Sequence, residues 1–265
     1  MPIYHPIKEW DLKFAEMAVK EIPNGFVSTV IVGERRKGKS VYSLKNGAKL
    51  TYSLEGLADE ECWKKALESV VFGPEDLSDR IFHNNEKDVV SPYWILDDAT
   101  VHFNPILFFI NPYLYSLLQG IFDTIGTAVN VLMLTCPKKQ RLMKGLKTYD
   151  DITTHIIKAR EGGYERIARG ILWFTMPDDK QRYRKLFEDH FSCYAPDFIY
   201  KPYVEKRKKY LSEINAILRA YKDKLDVEKH RKMLSLNENI MATRRLIEQS
   251  DKEIEQVEEE GDGTC

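Results

Sequence analysis

The chain has 265 residues, enough for one α/β core of about 200 residues plus an appendage. Its 40 Lys+Arg against 41 Asp+Glu give a formal net charge of -1, which excludes the overall basic excess of many free-standing nucleic-acid binders, so any DNA affinity must be local. The most apolar stretch, Ile106 to Ile125, is interrupted by Asn111, Pro112, Gln119, Gly120 and Asp123, and no membrane span is expected.

Met1 to Trp10 include His5, Lys8 and Glu9 and lack the apolar core of a secretory signal, so a cytoplasmic location is expected. Cys62, Cys136, Cys193 and Cys265 lie far apart with no C-x-x-C pair, which signals neither a zinc site nor a disulfide framework but free thiols.

In chain order, Phe14 to Ile22 is a short amphipathic helix stopped by Pro23-Asn24-Gly25. Phe26 to Val32 is rich in β-branched residues and fits a buried strand running straight into Gly33. A helix follows from Lys39, weakened at Gly47. Ala58 to Phe72 carries apolar residues at helical spacing, and Gly73-Pro74-Glu75-Asp76 starts another helix. After Ser91-Pro92, Tyr93 to Leu96 is a short strand ending in two aspartates. Ile106 to Phe122 reads as a buried helix broken near Pro112, Ala128 to Leu134 as a third strand, and Ile167 to Phe174 as a fourth, ahead of Pro177-Asp178-Asp179. Strands alternating with helices imply a mainly parallel sheet covered on both faces, with its chemistry at the strands' carboxyl ends. Trp94, Trp173 and Phe174 are assigned to the core.

The α/β core is expected over residues 1–200, followed by a charged helical tail over 201–265. Leu211, Ile214, Leu218, Tyr221 and Leu225 repeat at three or four residues, and Leu234, Ile240, Leu246, Ile247, Ile254 and Val257 continue sparsely. Lys and Arg dominate Lys201 to Lys232, including Lys206-Arg207-Lys208-Lys209. Acids dominate Met233 to Asp262, ending in Glu258-Glu259-Glu260, so the two halves can pair with each other or with neighbouring subunits. The last five residues are expected to be disordered.

The chemistry concentrates in two motifs. Gly33-Glu34-Arg35-Arg36-Lys37-Gly38-Lys39-Ser40 matches G-x-x-x-x-G-K-[ST] and sits between a buried strand and a predicted helix, where such a loop aims backbone N–H groups at phosphate oxygens. In this reading Lys39 reaches the β- and γ-phosphates, the Ser40 hydroxyl ligates Mg²⁺, and Val41 completes the nucleotide-binding stretch. Arg35, Arg36 and Lys37 raise the local positive potential or face solvent. Tyr93 to Asp98 supplies the second half, an apolar strand followed by acids: Asp97 holds Mg²⁺ through its water shell and Asp98 orients or deprotonates the attacking water. Asp98 or Thr100 could equally cap a following helix. Thr135, ending the third strand, lies between the two motifs if that strand is inserted between theirs, which suits a polar group sensing the γ-phosphate. Arg160, Arg166 and Arg169 are candidates for an arginine supplied across a subunit boundary. His83, His102, His155 and His190 are not at metal-ligand spacing. No N-K-x-D guanine signal is present, which favours ATP.

These residues resemble a family of P-loop ATPases similar to the initiator DnaA and the helicase loader DnaC, encoded by archaeal viruses and plasmids. The resemblance rests on the phosphate loop, Trp94-Ile95-Leu96-Asp97-Asp98-Ala99 with Val101-His102-Phe103, Leu134-Thr135-Cys136-Pro137, Phe187-Glu188-Asp189, Tyr194-Ala195-Pro196-Asp197 and Glu205-Lys206-Arg207. It implies a RecA/AAA+-like three-layer α/β sandwich with the sensor strand between the two motif strands. It also implies ATP and Mg²⁺ as ligands, Asp97 as the Walker B acid, Asp98 as the catalytic acid, Thr135 as sensor 1, and a role in replicating or maintaining a mobile element. DNA is expected to be contacted through Lys201 to Lys232, and a homo-oligomer or a replication partner is an open possibility. A nucleotide-gated scaffold with little hydrolysis is the alternative.

Overall fold

A computed structural model of the chain describes residues 5–103, 112–139, 142, 152–159, 163–175 and 181–224. It divides into two compact units, Met1–Arg207 and Lys208–Cys265. In the second unit the described residues, to Lys224, belong to the helix Asp197–Lys224. The rest of the tail, with Leu225, Lys232, the acidic run and the five terminal residues, lies outside the described residues, as do Arg160, Ile106 to Asn111 and Pro177-Asp178-Asp179.

The first unit is built on a seven-stranded sheet. Its strands in chain order are β1 (Val27–Val32), β2 (Val70–Val71), β3 (Ser91–Leu96), β4 (Val129–Cys136), β5 (Ile152–Lys158), β6 (Glu165–Thr175) and β7 (Gln181–Ser192). Across the sheet they run β2-β3-β4-β1-β5-β6-β7. The first five in that order pair in parallel, and β6 and β7 add an antiparallel ribbon. Strand β4 therefore sits between β1 and β3, with Ile31 opposite Thr135 and Leu96 opposite Leu134. This order is that of a RecA-like P-loop NTPase, and it sends the carboxyl ends of β1, β3 and β4 to one edge.

The helices are α1 (Lys13–Val19), α2 (Lys39–Glu55), α3 (Asp59–Glu68), α4 (Pro74–Lys87), α5 (Ala99–His102), α6 (Pro112–Thr124) and α7 (Asp197–Lys224). Alternation along the strands divides the core. Val30, Val32, Trp94, Leu96, Leu132 and Leu134 join Phe103, Leu118 and Phe122 in one buried cluster. From the opposite face, Tyr93 and Ile95 meet α2 at Gly47, where an added Cβ would lie 2.9 Å from the Tyr93 ring and 3.2 Å from Ala66. The glycine that weakens α2 by propensity is thus the residue that lets it approach β3 and α3.

Several local expectations are corrected. Ala58 to Phe72 is a helix only to Glu68, because Val70 and Val71 pair in parallel with Ile95 and Leu96. Ile167 to Phe174 belongs to an antiparallel strand, and its neighbours β5 and β7 were not anticipated. Thr153, Thr154 and His155 interrupt the apolar pattern of β5, and the Thr154 hydroxyl is satisfied by Thr29 at 2.8 Å rather than by water. Trp94 is buried, but Trp173 and Phe174 are 41% and 39% exposed, since their partners on β7 are Tyr183 and Arg182 and the Trp173 ring packs on Tyr183, itself exposed. No helix among the described residues is long and apolar enough to cross a membrane.

One buried acid ties the chain's start to its last strand. Leu12, at the N-cap of α1, offers no side-chain acceptor; the Asp189 carboxylate from β7 takes the Lys13 N–H at 2.8 Å and the Phe14 N–H at 3.4 Å instead. Its Oδ2 also accepts the Tyr42 hydroxyl of α2 at 2.5 Å. Asp189→Ala orphans all of these donors and is expected to destabilise the protein by about 3 kcal/mol in urea unfolding. A loss below about 1 kcal/mol would mean water replaces the carboxylate at little cost.

Candidate functional site

Strand β1 ends at Val32 and the chain turns through Gly33–Gly38 into α2. The turn demands particular backbone angles: Gly38 stands at φ 91 and Arg36 at φ 60. The loop is also braced from below. A Cβ on Gly33 would lie 3.0 Å from the Ile156 carbonyl oxygen of β5, and one on Gly38 would lie 2.9 Å from Cys193 Cβ, with Phe191 and Arg166 next. Glu34, Arg35 and Arg36 are exposed. Glu34 pairs with Lys37 at 3.0 Å, so part of the loop's positive potential is neutralised within the loop.

Lys39 is buried, and its ammonium curls back onto the loop, donating to the Gly33 carbonyl at 2.9 Å and the Glu34 carbonyl at 2.8 Å. An ammonium has three donors, so one remains for an incoming oxygen. Burial lowers the Lys39 pKa, opposed chiefly by the charge of Asp98. Val41 lies half-buried one turn before Lys45 on the same face of α2.

Across the edge, Asp97 follows β3 and is buried. Its Oδ1 accepts the Ser40 hydroxyl and the Thr135 hydroxyl, each at 2.7 Å, and its Oδ2 accepts the Tyr203 hydroxyl of α7 at 2.5 Å. Thr135 in turn accepts the Asp98 backbone N–H at 2.9 Å. Asp98 takes a left-handed backbone, φ 49, at the N-cap position of α5, yet its side chain caps nothing. Its carboxylate forms an ion pair with Arg207, one turn beyond Tyr203. Burial raises the Asp98 pKa, reinforced by Asp97 and opposed by Arg207 and Lys39. Burial, with Asp97 beside it, likewise lifts the Tyr203 phenol well above its ordinary range.

The fold therefore gathers Gly33, Gly38, Lys39, Ser40, Asp97, Asp98 and Thr135 at one edge. The sequence reading did not anticipate Tyr203 or Arg207. Arg207 lies in a run of basic residues assigned to DNA, and the signal available was the spacing of Tyr203, Arg207 and Tyr210 amid charged neighbours, which puts a half-buried face on α7. The arginine candidates from β6 stand elsewhere. Arg166 is buried with its guanidinium on the Gly163 and Glu165 carbonyls, at 2.6 and 2.8 Å, and wedges the hairpin under Gly38. Arg169 pairs on the surface with Glu188, whose carboxyl Lys185 and Arg169 hold down at about 2.

The donor set fits Mg²⁺. The Ser40 hydroxyl and the Asp97 carboxylate are hard oxygens joined by a hydrogen bond that a hard cation would replace. No group of three or more His, Cys, Asp or Glu side chains converges among the described residues, so a cation here would draw its remaining oxygens from phosphate and water.

No protein-family model matches the chain. Its sequence is 28% identical over 211 residues to the uncharacterized protein B-251 of Sulfolobus spindle-shape virus 1, a match covering 74% of this chain and 80% of that protein. Among solved structures it is similar to the N-terminal domain of zonular occludens toxin from Neisseria meningitidis, with a TM-score of 0.33 at 11% identity over 62% of this chain and 95% of that one. It is also similar to the genome packaging NTPase B204 from Sulfolobus turreted icosahedral virus 2, solved in complex with AMP, with a TM-score of 0.34 at 10% identity over 62% of this chain and 98% of that one.

A cavity of about 330 Å³ lies beside α2, lined by Trp10, Lys45, Trp63, His190 and Tyr194 among others. Lys45 Nζ sits 4.9 Å above the Trp10 ring, and burial pushes its pKa down to about 8. Below pH 8 the folded chain therefore bears the cost of a buried charge, and that cost fades as pH rises from about 8 toward the ordinary 10.5. Lys45→Met is expected to exceed wild type in stability by about 2 kcal/mol at pH 7, the gap narrowing by pH 9.5, as measured by urea unfolding at both pH values. A gap that does not change with pH would remove the buried charge as its cause.

Proposed function

We propose that the protein is a Mg²⁺-dependent ATPase acting on DNA or on a DNA-bound partner. The observation that carries the reading is the Asp97 carboxylate held by the hydroxyls of Ser40 and Thr135, with Lys39 and Asp98 beside it. Bound Mg²⁺ would neutralise charge developing on the β- and γ-phosphates. The loop's backbone N–H groups and the N-terminus of α2 hold the phosphate chain, and Lys39 turns its remaining donor to the γ-phosphate. Asp97, oriented by its hydroxyl donors, would help Ser40 hold the metal. Asp98, made more basic by burial, accepts a proton from the attacking water. Thr135, bonded both to the Asp97 side chain and to the Asp98 backbone, keeps the two acids in register.

The finer parts of the reading are likeness to DnaA- and DnaC-type ATPases, a role in replication or maintenance of an archaeal virus or plasmid, a cytoplasmic location, and assembly into oligomers. For DNA contact, the basic residues Lys201, Lys208 and Lys209 are exposed on α7, whereas Tyr203 and Arg207 turn to the ATPase site and are not available to DNA. A contact through the exposed lysines would weaken steeply with salt.

ATP turnover by wild type, Lys39→Ala and Asp98→Asn, with and without single- and double-stranded DNA, tests the proposal. Asp98→Asn is expected to bind Mg-ATP within about threefold of wild type while losing at least about 100-fold in kcat, and Lys39→Ala to lose nucleotide binding. Tight ATP binding by wild type with no turnover under any condition would favour a nucleotide-gated scaffold instead.

A further inference from the structure

Both acids that end β3 are held by one helix. Tyr203 reaches Asp97, and Arg207, four residues on, reaches Asp98. The start of α7 is well placed to do this: Tyr203 is buried with its ring 6.0 Å from that of Phe72, which follows β2, and Lys206 lies within the charge field of Arg80, Asp76 and Glu68 around α4. The two contacts leave the edge with an unusual charge arrangement. Lys39 and Arg207 act on the same Asp98 carboxylate, and each cation is also felt by the other site group: Arg207 works against the charge on Lys39, and Asp97 supports it on Arg207. Arg207, paired with Asp98, thus adds its charge to that of Lys39 on one carboxylate of the site where, in the ATPase reading, the γ-phosphate binds.

We propose that Arg207 is the arginine that acts on the γ-phosphate, supplied in cis by α7: it pairs with Asp98 while the site lacks ATP and transfers to γ-phosphate oxygens when ATP binds. The exchange satisfies three requirements at once. A γ-phosphate offers the guanidinium a more highly charged, planar-matched acceptor than one carboxylate oxygen. It relieves the repulsion between Lys39 and Arg207 by placing an anion between them. It also frees Asp98 when its basicity is needed, so that the carboxylate takes a proton from water as the water oxygen bonds to the γ-phosphorus. The bond from that phosphorus to the β,γ-bridging oxygen then breaks, its electron pair leaving with ADP, and the proton is passed on to the inorganic phosphate. Tyr203 is a positioning residue in this scheme, since it touches Asp97 and not the reacting atoms.

The inference rests on the ATPase reading, and the experiment separates their failures. Full-length wild type, Arg207→Ala, Arg207→Lys and Lys39→Ala are compared for turnover and for the Kd values of Mg-ATP and Mg-ADP. Arg207→Ala is expected to cut kcat by about 10³-fold and to weaken ATP at least about tenfold while leaving ADP within about twofold, because ADP lacks the group Arg207 contacts. Arg207→Lys, which keeps the charge without the fork, should restore ATP preference in part and turnover by less than about a tenth. Turnover in Arg207→Ala equal to or faster than wild type would overturn the proposal and make Arg207 only a restraint on Asp98, and equal weakening of ATP and ADP would overturn it by making its role structural. If wild type binds ATP but does not turn it over, the ATPase reading fails while the ATP-to-ADP ratio in Arg207→Ala still decides whether Arg207 contacts the γ-phosphate.

Discussion

The Asp97 carboxylate is the point to which the rest of this site is referred. It accepts hydroxyls from three separate parts of the chain: Ser40 from the loop after β1, Thr135 from β4 and Tyr203 from α7. Ser40 and Thr135 are short donors and Tyr203 a long, buried one, and together they satisfy both oxygens of the acid within a buried setting. The strand order makes the convergence possible. With β4 inserted between β1 and β3, the three strand ends lie side by side, and Thr135 falls between the loop and the acids without any long side chain reaching across.

The loop depends on a second set of constraints from the other half of the sheet. Gly33 rests on the backbone of β5, while Gly38 rests on Cys193, with Phe191 and Arg166 close behind. The antiparallel ribbon is therefore more than an extension of the sheet: it forms the floor under the phosphate loop, and Asp189 on the same ribbon secures α1 and Tyr42 of α2. A Cβ on Gly33 would press on the Ile156 carbonyl and one on Gly38 on Cys193, so close approach asks for glycine at both, and at Gly38 the left-handed backbone angle asks for it as well.

What could be read from the sequence followed from how local each signal is. The phosphate loop, Tyr93 to Leu96 and the β4 stretch carry their identity in contiguous residues, and the fold brings them to one edge. β2 is two residues long and leaves no periodicity to find. β5 contains Thr153, Thr154 and His155, because a strand paired on both sides can satisfy hydroxyls internally, and such a strand looks like a loop by hydropathy. Trp173 and Phe174 look like core by composition, yet Trp173 packs on Tyr183 of β7, itself exposed, a neighbour that the residues of β6 do not encode. Tyr203 and Arg207 were hidden for another reason. Each is an ordinary residue of a charged helix until the contacts with Asp97 and Asp98, 106 and 109 residues earlier in the chain, give it a partner.

The placement of α7 changes what its charge pattern means. A Lys- and Arg-rich helix at a chain's end suggests an electrostatic arm for an acidic partner, yet here one face of its first turns is committed to the two acids. Tyr203 and Arg207 stand four residues apart on one face of the helix, so a single turn holds both acids. Exposed Lys201, Lys208 and Lys209 lie on the remaining surface of that turn and its neighbours. A partner bound at Lys201 would act on an element that already touches both carboxylates, and by linkage any effect it had on the site would be returned as an equal effect of the site's ligand on the partner.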